Sequence, residues 1–161
     1  LERFGIHFLD LYEELPLRGM DLILEGGYLA DKTEEEIAVM DTVDKRFVKQ
    51  WQQNIEEALG EKKPDYLVVH HMEPDHSSNI CEFLKVYPDA KIVSSEKAFA
   101  IMKNFFKTDF AGNRIVVGEN DKLNLGNHEL TFLTAPMVHW QEVIVSYDRF
   151  DKVLFLADGF G

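Results

Sequence analysis

Residues 66–76 read Tyr66-Leu67-Val68-Val69-His70-His71-Met72-Glu73-Pro74-Asp75-His76. The uncharged, β-branched opening of this stretch predicts a buried strand. Its carboxyl end delivers His70 and His71 to the edge of a sheet, where ligands commonly sit in α/β proteins. Four candidate metal ligands, His71, Glu73, Asp75 and His76, then fall within six positions. Imidazole nitrogen and carboxylate oxygen are donors for zinc and for non-haem iron, and a compact loop can turn alternate side chains toward one centre. Pro74 stiffens that loop. The plain alternative is a solvated loop capping a strand. Two later residues weigh against it: His139 follows Pro136-Met137-Val138, and Asp158 follows Leu154-Phe155-Leu156-Ala157, so each ends an apolar run as the first cluster does.

Outward from this stretch, strand and helix signals alternate, the pattern of an α/β layered fold. Ile37 to Met40 predicts a strand ending at Asp41, which is read as a turn or supporting carboxylate. Phe47, Trp51, Ile55 and Leu59 recur every four positions, so Lys45 to Leu59 predicts a helix with one buried stripe, stopped by Gly60. Helices over Ser78 to Val86 and Lys97 to Phe106, with strands at Lys91 to Val93 and Arg114 to Val117, continue the alternation. Two hairpins follow, Leu123–Leu125 with Glu129–Leu133 and Val143–Tyr147 with Val153–Leu156, leaving His139 and Asp158 in the loops after strands. The segment from Leu1 to about Asp31 is read as a divergent hairpin. Glu34-Glu35-Glu36 reads as a solvated turn.

The 161 residues carry 29 acidic and 17 basic side chains, a formal charge of −12, which repels nucleic-acid backbones and anionic lipid surfaces. No apolar run reaches the roughly 20 residues a bilayer requires, and the opening lacks a secretory layout. The single cysteine, Cys81, lies in an apolar helical pattern and reads as core filler in a reducing, cytoplasmic setting. A start at Leu1 and an end at Gly161 without a closing segment predict part of a longer polypeptide.

The pattern His71-x-Glu73-x-Asp75-His76, followed by 62 residues to His139 and 18 more to Asp158, resembles the ligand spacing of flavodiiron proteins. These form a branch of the metallo-β-lactamase superfamily that reduces dioxygen or nitric oxide. The strings KPDYLVVHHMEPDHSSN (63–79), APMVHW (135–140) and KVLFLADGFG (152–161) resemble segments of that family. The resemblance implies the amino-terminal portion of an αββα sandwich, residues 1–161 forming part of one domain. It further implies one iron at His71, Glu73 and His139, a second at Asp75 and His76, and Asp158 bridging them. Hydrolytic members carry histidine where this chain has Glu73, and the extra carboxylate favours redox iron over zinc.

The same resemblance implies FMN on a flavodoxin-like domain absent from this chain or on a partner, an electron donor such as a rubredoxin or flavoprotein, and a head-to-tail homo-oligomer in which one subunit's flavin nears the other's irons. The family's last histidine ligand, beyond Asp158, has no counterpart. Of the remaining histidines, His7 is unassigned, His128 reads as a surface turn residue, and His70 as support for the loop. Gly26-Gly27 is not a phosphate cradle. Met137 and Trp140 read as ordinary packing around His139 rather than as walls of a metal chamber. A binuclear zinc hydrolase and a metal-poor scaffold are the competing readings.

Overall fold

Short apolar strands joined by helices pair in parallel, because the helix carries the chain back to its starting edge. The computed structural model describes residues 36–159. The expected hairpin before Asp31, Gly26-Gly27, His7 and most of the acidic turn lie outside the described residues. Strands β1 (Ala38–Met40), β2 (Tyr66–Val68), β3 (Lys91–Ser94) and β4 (Arg114–Val116) form a parallel sheet in that order, with Val39 opposite Leu67 and Leu67 opposite Ile92. Strands β5 (Lys122–Asn124), β6 (Glu129–Thr134), β7 (Ile144–Asp148) and β8 (Val153–Phe155) form an antiparallel meander, as the two expected hairpins require.

Side chains alternate across the parallel sheet, so its two faces build two cores. Val39, Leu67, Val69 and Ile92 pack with Trp51, Ile55, Phe83, Phe99 and Met102 from the helices. Ala38, Met40, Val68 and Val93 point the other way and pack with Leu125, Leu130, Phe132, Ile144 and Phe155 of the second sheet. Each large apolar side chain so buried contributes about 1.5–3 kcal/mol. The layers run helix, sheet, sheet, which supplies three of the four layers of the expected αββα sandwich. No helical layer covers the outer face of the antiparallel sheet among the described residues. Cys81 packs, partly buried, against the first core.

The helices are α1 (Val48–Leu59), α2 (Pro74–Ser77), α3 (Ile80–Val86) and α4 (Glu96–Phe106). The expected helix from Lys45 begins instead with a 3-10 turn, Lys45–Phe47, because the Asp44 carboxylate accepts from the Arg46 backbone N–H and tightens the start. The expected helix from about Ser78 to Val86 is present and starts two residues later, at Ile80. Pro74, whose fixed φ suits the first helical position, opens the separate turn α2 within the candidate ligand loop, and α3 starts only after Asn79.

Gly60 ends α1 at φ 61° and ψ −118°, a pairing that a Cβ makes costly. No atom lies within 4 Å of a Cβ built there, so backbone strain alone is at stake. Gly60→Ala is expected to lower stability by roughly 1–3 kcal/mol in urea unfolding. An unchanged midpoint would mean that the turn relaxes freely.

His128 corrects the expectation of a surface residue. It is buried, and its Nδ1 lies 2.7 Å from the Asp148 carboxylate, which also accepts the Phe150 backbone N–H in the β7–β8 turn. A hairpin-turn neighbour is thus drawn inward by a carboxylate from the adjacent strand.

Candidate metal centre

The carboxyl ends of β1 and β2 and the loops after β6 and β8 meet at one edge of the two sheets. Past β2, the chain carries His70 and His71 between the sheets, fully buried, where the Ile144 backbone N–H donates to the His70 carbonyl at 3.1 Å. The α2 turn folds back under β1, and the Thr42 N–H donates to the His76 carbonyl at 2.7 Å. His139 sits in the connection between β6 and β7, its position shaped by a left-handed Met137 (φ 71°) and a bridge between Val138 and Trp140. Asp158 follows β8, after a left-handed Ala157.

Five of the six expected residues converge. One ligand atom from each of His71, Glu73, His139 and Asp158 lies within 4.8 Å of those of the others. The Nε2 atoms of His71 and His139 face each other at 3.2 Å, and each is 3.6 Å from a Glu73 oxygen. Asp158 Oδ2 lies 3.4 Å from His139 Nε2 and 3.8 Å from His71 Nε2, while its Oδ1 lies 3.0 Å from His76 Nε2. The two oxygens of Asp158 therefore serve two different groups of imidazoles. Asp75, half-buried in α2, stands outside this cluster.

Donor atoms bound at about 2.0–2.2 Å to a common ion stand roughly 2.9–3.6 Å apart. Four of the five separations around the His71–His139 pair fall in that range, and the mixed nitrogen and oxygen set suits iron or zinc. His139 is the exposed member, with 55% of its side chain accessible, and a cavity of 570 Å³ opens beside it against Lys97 and Ile101 of α4. The Trp140 ring meets His71 edge-on, centroids 5.2 Å apart, and is partly buried against the first core. It therefore lines the ligand as well as packing. Met137 is 70% exposed, so the packing expected of it is not found.

Two buried carboxylates stand behind the histidines. Asp41 accepts from the His70 backbone N–H at 2.6 Å, and its Oδ2 faces His76 Nδ1 at 3.3 Å. His70 Nδ1 is as close to that oxygen but without hydrogen-bond alignment; its Nε2 reaches Ser146 Oγ at 2.7 Å. Burial pushes Asp41 up, and the rings of His70 and His76 outweigh it, holding the carboxyl well below the usual range. Burial also disfavours the His76 cation, yet Asp41 and Asp158 raise its pKa from 6.5 to about 9. Desolvation pushes Asp158 up, but the His76, His139 and His71 rings hold it below its ordinary value.

Glu142 is the second such carboxylate. Its Oε1 accepts from His71 Nδ1 at 2.9 Å and from the Met72 N–H at 3.1 Å. The sequence reading does not single it out. The available signal was a lone acid entering the apolar run Val143-Ile144, three positions after a candidate ligand.

Residues 26–161 match the family described as ODP family beta lactamase. The chain is 35% identical over 130 residues to an anaerobic nitric oxide reductase flavorubredoxin of Aliivibrio fischeri, covering 80% of this chain and 26% of that protein. Among solved structures, it resembles the flavodiiron protein from Giardia intestinalis, with a TM-score of 0.73, 28% identity, and coverage of 80% of this chain and 31% of that one. It also resembles the rubredoxin oxygen:oxidoreductase of Desulfovibrio gigas, with a TM-score of 0.69, 29% identity, and coverage of 76% and 30%. The chain spans about a quarter of the length of the curated relatives it matches.

Proposed function

Because the chain belongs to the ODP beta-lactamase family, as a metallo-β-lactamase-like domain of the flavodiiron type covering only part of its relatives, we propose that it is the iron-holding module of an oxygen or nitric oxide reductase. The single observation that carries this reading is the Asp158 carboxylate, with Oδ2 turned to His71 and His139 and Oδ1 turned to His76. That is the posture of a carboxylate shared by two cations. In this assignment His71, Glu73 and His139 would hold one iron, His76 and Asp75 would hold the second, and Asp158 would be shared between them. Asp75 would have to turn inward to contribute.

A ferrous pair, when bound, supplies electrons in pairs to dioxygen or nitric oxide. The residues themselves set the place and polarity of that chemistry. Glu73 and Asp158 bring negative charge that suits ferric iron, Trp140 shields His71, and the cavity beside exposed His139 offers an approach for a small gas. The electrons are assigned to FMN held on another domain or on a partner, replenished by a rubredoxin or flavoprotein, in a homo-oligomer. Among the described residues, no helix is long and apolar enough to cross a membrane.

The test is anaerobic loading of the chain with ferrous iron, followed by metal analysis and oxygen consumption with a reduced flavin donor. Two irons per chain and flavin-dependent oxygen uptake are expected. Exclusive zinc binding with ester or phosphodiester turnover would replace this reading with a zinc hydrolase. Iron bound without turnover would leave a scaffold.

A further inference from the structure

We propose that Glu142 is a positioning residue that locks the tautomer and orientation of His71, so that the loop carrying His139 also assembles the partner histidine it faces. The proposal rests on the metal-centre reading above and adds to it a residue that is not a ligand.

Glu142 is 2% exposed and tied at both ends. Its backbone carbonyl accepts from Ser95 Oγ at 2.8 Å, and Ser95 in turn caps α4 by accepting from the Ala98 N–H at 3.1 Å. Its carboxylate accepts from His71 Nδ1 and from the Met72 N–H. A carboxylate that only accepts requires the His71 proton to sit on Nδ1. The lone pair is then on Nε2, the atom that faces His139, Glu73 and Asp158. Without the carboxylate, the proton can move to Nε2 and point into the cluster, or the ring can turn its carbon edge inward.

The arrangement extends beyond a single hydrogen bond. His139 and Glu142 are three positions apart, on one connection between β6 and β7, and they hold His71 from opposite sides. Docking that connection against β2 and α4 therefore sets the His71–His139 pair in one step. Asp41 stands behind His76 Nδ1 in the same way, but from β1, which carries no ligand of its own. Carboxylates behind ligating histidines raise ligand basicity and fix ring orientation, and their loss commonly weakens metal binding 10–100-fold.

The experiment is an anaerobic titration of the full chain with Co²⁺ as an absorbing probe, comparing the unaltered protein with E142Q and E142A and following the visible bands. E142Q keeps the size and one acceptor oxygen and loses the charge. About tenfold weaker binding is expected for E142Q and about a hundredfold for E142A, with shifted Co²⁺ bands in both. Gly60→Ala, strained at the opposite end of the parallel sheet, controls for lost stability and should bind and absorb like the unaltered chain. Equal affinity and an unchanged spectrum in E142Q and E142A would overturn the role of Glu142 and leave the metal centre standing. Failure of the unaltered chain to bind Co²⁺ or iron would overturn both. Should E142A not fold, E142Q decides.

Discussion

Asp41→Ala is expected to destabilise the chain by about 3–5 kcal/mol, the range found when one partner of a buried charge pair is removed. Natural domains have roughly 5–15 kcal/mol in total, so this change takes a large share. Asp41 is 1% exposed and held ionised by the two histidine rings. Its removal strands the His70 N–H and leaves His76 without its fully buried counter-charge. Asp41 also adopts a left-handed φ of 54°, which aspartate tolerates better than alanine. Asp41→Asn keeps shape and backbone preference and loses only charge, so a smaller loss of about 1.5–3 kcal/mol is expected. Urea unfolding followed by tryptophan fluorescence measures both. An alanine variant within 1 kcal/mol of the unaltered chain would mean that no ionised Asp41 supports the fold.

What was legible in the sequence divides along physical lines. Strands β1 to β3 declared themselves because a sheet packed on both faces needs unbroken apolar runs, as in Tyr66-Leu67-Val68-Val69. Helix α1 was equally plain from Trp51 and Ile55 on one stripe. The five converging site residues were found through spacing and through their place at strand ends. The supporting carboxylates were harder to see. Glu142 is chemically indistinguishable in sequence from any solvated glutamate, and only the folding of β7 against β2 reveals that it is buried against His71. His128 failed for the same reason in reverse: its partner Asp148 lies 20 residues away, across a hairpin register that the turn residues alone do not specify. The start of α3 after Asn79 turns on tertiary contacts, since the Asn79 backbone N–H donates to Thr42 Oγ1 and its side chain to the Val43 carbonyl.

Asp41 and His76 also make the site sensitive to pH, in opposite senses for folding and for metal binding. The pKa of His76 in the folded chain, about 9, lies above the ordinary 6.5 of an unfolded histidine. The folded state thus holds the proton more tightly, and the resulting stability is fully present below about pH 6.5 and is lost as pH rises through 9. The shift corresponds to about 3 kcal/mol, which is the Asp41–His76–Asp158 interaction seen from the histidine, so it does not add to the loss expected for Asp41→Ala. Chelator-treated protein should therefore unfold at lower urea at pH 9.5 than at pH 6.5. A cation binding at Nε2 must displace the same proton. Between pH 6.5 and 9 the apparent affinity for the ion at His76 should rise by about tenfold per pH unit, with one proton released by that ion, until His76 is neutral. Titrations at pH 7 and pH 8 in two buffers of different ionisation enthalpy measure both the slope and the proton count. His76→Gln should abolish this component. An affinity that does not change between pH 7 and 8, with no proton released, would mean that His76 is already neutral in the folded chain, and that Asp41 and Asp158 do not hold an imidazolium between them.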